Sequence, residues 1–188
     1  MNNKKKILIP GGTGFLGYHL CVFFKKKGWI VHSISKFKPQ KKRKIKGVKY
    51  ILCDVSNKKI LNKKIDKFYD YTVNLSGYVD HSKNKSIIQS HFVGCKNLIQ
   101  ILKSRGIRKF VQIGSSIEYG NQKSPQVEKK IEKKINTLSV YGNAKLSSTM
   151  FLKKIFENEG TPITILRLYL VYGPNQDDNR VIPFVINN

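Results

Sequence analysis

Acidic side chains are scarce in this chain: 11 Asp and Glu stand against 36 Lys and Arg, a net charge of +25 over 188 residues. Cysteine is scarcer still. Cys21, Cys53 and Cys95 are scattered without paired spacing, which excludes a disulfide framework and a zinc site and leaves no metal site to expect. No apolar run approaches the ~20 residues that a membrane span needs. The opening MNNKKKILIP reaches Gly11 and Gly12 too soon to hold the apolar region of a signal peptide, so the expected location is cytoplasmic. The excess charge would suit a polyanionic partner, but the lysines run through the whole chain beside abundant Ile and Asn. No aromatic-interleaved basic motif accompanies them. A solvated surface is therefore expected, with no specific nucleic-acid partner.

What is present is a regular alternation. Short apolar or β-branched runs at 6–9, 29–34, 48–52, 71–75, 109–114 and 163–168 read as strands. Segments of helical period at 15–27, 84–104 and 140–159 lie between them, the last ending at Gly160 before Pro162. This is the pattern of repeated βαβ units. It predicts an α/β fold of the doubly wound Rossmann type, with a mostly parallel sheet and helices on both faces. Residues 117–138 are polar and are expected to form a loop at the carboxyl end of the fifth strand, where sites are built.

ILIPGGTGFLG places Gly11, Gly14 and Gly17 between the first strand and the first helix. Glycine is needed where the chain turns tightly, where backbone approaches a pyrophosphate and where helix packs closely on strand. The helix amino terminus adds free N–H groups and a positive dipole end. Thr13, Phe15 and Leu16, between the glycines, join them as candidates for dinucleotide binding. The acid that usually accepts the ribose hydroxyls at the end of the second strand is missing, since no Asp or Glu occurs from Trp29 to Tyr50. Ser35, Lys36, Lys38 and Arg43 occupy the region where a 2′-phosphate would lie. The cofactor expected is NAD(P), with NADP favoured. Asp54 and Val55, in LCDVS after the third strand, supply the first acid available near an adenine.

SVYGNAKLS sets Tyr141 and Lys145 at i and i+4, on one face of a helix. An ammonium beside a phenol, together with an oxidised nicotinamide, would favour phenolate and make the tyrosine a usable acid/base at neutral pH. Alone, the pair is also what a solvated helix face carries. KFVQIGSSIEYG adds Ser115 and Ser116 at the carboxyl end of the fifth strand.

In order and spacing, GGTGFLG, GSSIEYG, YGNAK and LRLYLVYGP resemble the extended short-chain dehydrogenase/reductase superfamily, the NAD(P)-dependent nucleotide-sugar epimerases, dehydratases and reductases. That resemblance implies Tyr141 as general acid/base, Lys145 as the residue that lowers its pKa and bonds the nicotinamide ribose, and Ser115 as the catalytic hydroxyl. It also implies that Leu75, Ser76 and Gly77 pass close to the cofactor, and that Ser116 and Tyr172 stand on the substrate side. Where 4,6-dehydratases of the superfamily carry Asp-Glu, this chain has Ser116 and Ile117, which argues against dehydration. His91 replaces a frequent Asn and is expected to be a helix residue on the cofactor side; His19 and His81 carry no stronger expectation.

Residues 1–175 are thus expected to be the cofactor domain, and 176–188 the start of a truncated substrate domain, leaving Val181, Ile182, Phe184 and Val185 exposed. The function implied is that of a nucleotide-sugar epimerase or 4-ketoreductase, acting as a homodimer. The alternatives are a non-catalytic nucleotide-binding sensor fragment and a 4,6-dehydratase.

Overall fold

The computed structural model describes residues 4–66, 68–78, 83–128 and 139–188. Six parallel strands, β1 (Lys6–Pro10), β2 (Ile30–Ser35), β3 (Lys49–Leu52), β4 (Tyr71–Asn74), β5 (Lys109–Ser115) and β6 (Ile163–Leu168), form one sheet in the order β3-β2-β1-β4-β5-β6. The order reverses between β1 and β4. In such sheets ligands bind outside the carboxyl ends of the strands at that reversal.

The central strand shows why both faces must be covered. Ile7 and Ile9 point into a cluster with Cys21 and Val31, packed by Leu20 and Phe24 of α1 (Phe15–Lys26). Leu8 points the other way, into the larger cluster of Ile34, Leu61, Leu98, Ile99, Phe110 and Leu152. That cluster draws on α2 (Lys58–Lys64), α4 (Gly94–Lys103) and α5 (Val140–Glu159). Burial on both faces favours apolar residues at successive positions, as β1 has from Ile7 to Pro10.

Each predicted strand is present to within about one residue. The helix expected over 84–104 is broken into α3 (Asn84–Ile88), a π-helical turn (Gln89–Val93) and α4. The wide turn has a packing cause on each side. A side chain at Gly94 would sit 2.5 Å from Val55, so the helix is drawn tightly onto the loop after β3, while the preceding turn carries His91 against Gly77. In the segment expected as loop, a 3₁₀ turn (Ser116–Tyr119) follows β5 directly; residues 129–138 and His81 lie outside the described residues.

α5 begins at Ser139, whose hydroxyl accepts the Gly142 N–H at 3.1 Å, and ends at Gly160 in the left-handed conformation (φ +63°). After β6 the chain runs to α6 (Val181–Asn187), which buries no side chain: Val181, Ile182, Phe184 and Val185 are exposed, as expected. All three cysteines are buried and unpaired. Among the described residues, no helix is long and apolar enough to cross a membrane, and no group of His, Cys, Asp and Glu could hold a metal ion.

At the amino-terminal end of the sheet, Lys6 pairs with Asp66, and buried His32 accepts or donates a 2.8 Å bond with the Tyr69 hydroxyl. Burial is the main cause pushing the His32 imidazole down to about 4.

Candidate functional site

The glycine turn sits at the reversal point. Gly11 donates its N–H to Ile34 O (2.8 Å) and Leu75 donates to Pro10 O (2.9 Å), so the turn lies against the end of β4. Gly11 has φ +83°, and a Cβ there would lie 2.6 Å from Leu75 O. A Cβ at Gly17 would lie 2.2 Å from Gly11 O. Only glycine allows this closeness. α1 has Gly14 before it as its N-cap, with no side-chain cap and no acid in the first turn. Its leading N–H groups, those of Phe15 and Leu16 included, are therefore left for an anionic group. Leu75 and Ser76 flank the turn, and the Asn74 side chain fixes them by accepting from the Ser76 N–H (3.1 Å) and hydroxyl (2.6 Å). Gly77 is the platform for the His91 ring: a Cβ there would meet His91 Cε1 at 2.1 Å. The turn thus fits a dinucleotide pyrophosphate by its closeness, its free donors and its lack of negative charge.

On the adenine side, Ser35 ends β2 and donates its hydroxyl to Ile34 O (2.7 Å). Lys36 is exposed, with Nζ 3.4 Å from Asp54 Oδ2. Burial raises the Asp54 carboxyl, but the Ser56 hydroxyl and N–H, with Lys36, outweigh it and leave it below its ordinary value. Val55 is buried against Gly94. Arg43 does not stay in this region. It is buried, and its guanidinium donates to Asn175 O (2.5 Å) and Asp177 Oδ1 (2.8 Å) after β6. A carboxylate 134 residues downstream claims the charge, so Arg43 is not free for a 2′-phosphate.

Ser115, Tyr141 and Lys145 come together at the carboxyl end of β5. The Ser115 side chain stands close enough to the Tyr141 hydroxyl to pull its pKa down. Lys145 is buried on the same helix and donates to Ile113 O at 2.8 Å, with Nζ 5.8 Å from the Tyr141 ring centre. Burial pushes the Lys145 ammonium down to about 8, against the upward pull of Glu118. Tyr141 is held above its ordinary value, chiefly by burial and also by the Glu118 charge, while Ser115 pulls it down. His91 packs edge-on against Tyr141 (5.1 Å between ring centres) and bonds Tyr78 O at 3.2 Å. His19 bonds Pro174 O at 2.8 Å. Ser116 opens the 3₁₀ turn, partly exposed; Tyr172 is exposed, and among the described residues no contact brings it to the cluster.

One residue of the site escaped the reading of motifs. Glu118 is fully buried, and its Oε1 accepts the Ser115 N–H at 2.8 Å. Its sequence signal was present: Ser115-Ser116-Ile117-Glu118 is a capping box, Ser-x-x-Glu, and the structure forms it.

Comparison with known proteins agrees with this geometry. The model of the NAD dependent epimerase/dehydratase family matches residues 7–188. A dTDP-D-glucose 4,6-dehydratase of Dictyostelium discoideum is 25% identical, the match covering all of this chain and 50% of that protein. A bifunctional UDP-glucose and UDP-xylose 4-epimerase of Pisum sativum is 26% identical over 96% of this chain and 58% of its own length. The crystal structure of a Bacillus cereus UDP-glucuronic acid 4-epimerase, in complex with UDP-glucuronic acid and NAD, superposes with a TM-score of 0.76 at 26% identity, covering 95% of this chain and 60% of that one. The chain spans about half the length of the curated relatives it matches.

Proposed function

Since the chain belongs to the NAD-dependent epimerase/dehydratase family, we propose that it carries the cofactor-binding and acid/base half of a nucleotide-sugar epimerase or 4-ketoreductase. The observation that carries this reading is the meeting of Ser115 and Tyr141 at the end of β5, with Lys145 one helical turn away, beside an uncapped glycine turn. Bound in oxidised form, a dinucleotide supplies the hydride acceptor and a cationic ring that favours phenolate. Gly11, Thr13, Gly14, Phe15, Leu16 and Gly17 would hold its pyrophosphate, and Leu75, Ser76 and Gly77 would line the nicotinamide side.

The proton steps fall to the chain's own groups. Tyr141 takes the proton from a sugar hydroxyl as hydride leaves the carbon, and Ser115 holds the same oxygen by donating to it. In an epimerase the resulting ketone turns over and Tyr141 returns the proton; in a 4-ketoreductase only the return occurs. Lys145 keeps a positive charge in a buried place where developing phenolate gains most from it. Dehydration is disfavoured because Ile117 stands in the turn where a carboxylic acid would have to expel the hydroxyl.

The lack of any acid at the end of β2, with Ser35 and Lys36 in its place, supports NADP over NAD. Residues 176–188, with the unburied face of α6, are read as the first part of a substrate-binding unit. A homodimer through the outer face of α5, where Phe156 is half-exposed, completes the reading. Fluorescence titration with NADPH and NADH tests it first: binding is expected at micromolar concentration and tighter for NADPH, and no binding of either at millimolar concentration refutes the reading. A panel of UDP- and dTDP-sugars, followed at 340 nm and by product analysis, then separates epimerase from reductase.

A further inference from the structure

Glu118 does more than close a capping box. A glutamate at the third position of a short turn needs only one oxygen for that task and ordinarily keeps the other in water. Here the whole carboxylate is buried, and both oxygens are engaged. Oε1 accepts the Ser115 N–H. Oε2 accepts the Thr149 hydroxyl at 2.7 Å and Arg167 Nε at 3.1 Å.

These partners come from separate elements. Ser115 ends β5; Thr149 lies on α5, two turns beyond Tyr141 and one beyond Lys145; Arg167 lies on β6, the strand before the Tyr-Gly-Pro turn. Arg167 is itself mostly buried and stacks over the Tyr119 ring at 5.1 Å, which closes the turn from below. Gly114 makes room for the carboxylate, because a Cβ there would sit 2.6 Å from Glu118 Oε1. Ser115, Thr149 and Arg167 all donate to the carboxylate, so both of its oxygens are satisfied.

We propose that Glu118 is a positioning residue for the Ser115–Tyr141 pair: one buried carboxylate ties the serine's backbone to the tyrosine's helix and to the strand that leads toward the substrate side. This rests on the functional reading above, in which Ser115 and Tyr141 share a sugar oxygen. A hydroxyl pair that must meet one oxygen tolerates little drift, and no rotamer of Ser115 fixes its distance from α5 unless the backbone is tethered. The same carboxylate also tells on the pair electrostatically, since it raises both Tyr141 and Lys145.

The test is a double-mutant cycle on the chain, with Glu118→Gln and Ser115→Ala made singly and together, read as kcat and KM on the nucleotide sugar the panel identifies. Gln keeps the shape, but its amide cannot accept from Ser115 and Arg167 at once. The expected result is a loss of kcat of about 30-fold for Glu118→Gln, with KM and dinucleotide affinity unchanged and no further loss in the Ser115→Ala background. Equal losses in both backgrounds, or a loss confined to KM, overturn the proposal. Hydrogen exchange at the Ser115 amide gives a readout that needs no turnover. Glu118→Gln, and the milder Thr149→Val should the first variant fail to fold, are expected to speed it about tenfold. Unchanged exchange in a folded variant overturns the tether. Should the amide respond while no dinucleotide binds, the tether stands and the functional reading falls.

Discussion

At the amino-terminal end of the sheet, His32, Tyr69, Lys6 and Asp66 form a polar cluster; at the carboxyl-terminal end, Ser115, Tyr141, Lys145 and Glu118 form another. Both bury titratable groups and both displace their pKa values, His32 to about 4 and Lys145 to about 8. Displacement therefore marks burial, and burial alone does not make a site. The difference lies in position and access. The first cluster is remote from the strand-order reversal, and His32 and Tyr69 are almost wholly covered and bonded to each other. The second stands at the end of β5 near the glycine turn, and Ser115 and Tyr141 keep part of their surface exposed.

Substitutions at the two ends should separate these roles. Tyr141→Phe is expected to lower nucleotide-sugar turnover by about 10²–10⁴-fold while NAD(P)H affinity holds. Turnover that survives would remove the distinction between the ends. Lys145→Met should do something a purely structural lysine would not, namely lower activity and raise stability together. The ammonium titrates near 8 in the folded chain and at an ordinary 10.5 when unfolded, so the unfolded state binds more protons between those values and folding gains with rising pH across that window. Below pH 8 the buried charge is a constant burden. Its removal is expected to stabilise by up to about 3 kcal/mol at pH 7, a gain that fades by pH 10.5, measured by urea denaturation. Gln112 still donates to Ile113 O at 3.0 Å, so that carbonyl is not orphaned.

His32 should show the reverse pairing of effects. Its imidazole is neutral when folded down to about pH 4 and protonates near 6.5 when unfolded, so stability falls as pH drops from 6.5 to 4. About 2 kcal/mol of loss across that range is expected, with a shallower slope in His32→Asn and unchanged turnover at pH 7. An activity loss in His32→Asn would show the amino-terminal cluster to be coupled to catalysis. The smallest effect belongs to the half-exposed Lys153 and Glu157 pair on α5, 3.7 Å apart. Glu157→Ala should change stability by less than about 0.5 kcal/mol and leave activity alone.

Much of this was legible from local pattern. Strands of a sheet covered on both faces are rich in apolar residues, so β1 to β6 announce themselves as short runs, and Gly11, Gly14 and Gly17 do so by a spacing that suits a strand-to-helix turn. Tyr141 and Lys145 could be paired because a helix places i and i+4 together. Glu118 was hidden for the opposite reason. It opens a polar, lysine-rich stretch that reads as solvated, and what buries it, Thr149 and Arg167, lies 31 and 49 residues away. Arg43 was misplaced in the same manner, as one cation in a basic run until Asp177 claims it. The π-helical turn before Gly94 likewise depends on contacts with Val55 and Gly77, which no periodicity encodes. Long-range polar pairing is the part of the fold that residue type and spacing do not report.

The crowded glycine at position 17 also decides how this gene would respond to random mutagenesis. With the backbone of Gly11 only 2.2 Å from where any side chain would begin, codon 17 should accept synonymous changes alone. Gly160, held in the left-handed conformation (φ +63°) but with nothing within 4 Å, should admit asparagine and be recovered often. A deep mutational scan would then separate glycines demanded by a neighbour's position from those demanded only by their own torsion angle.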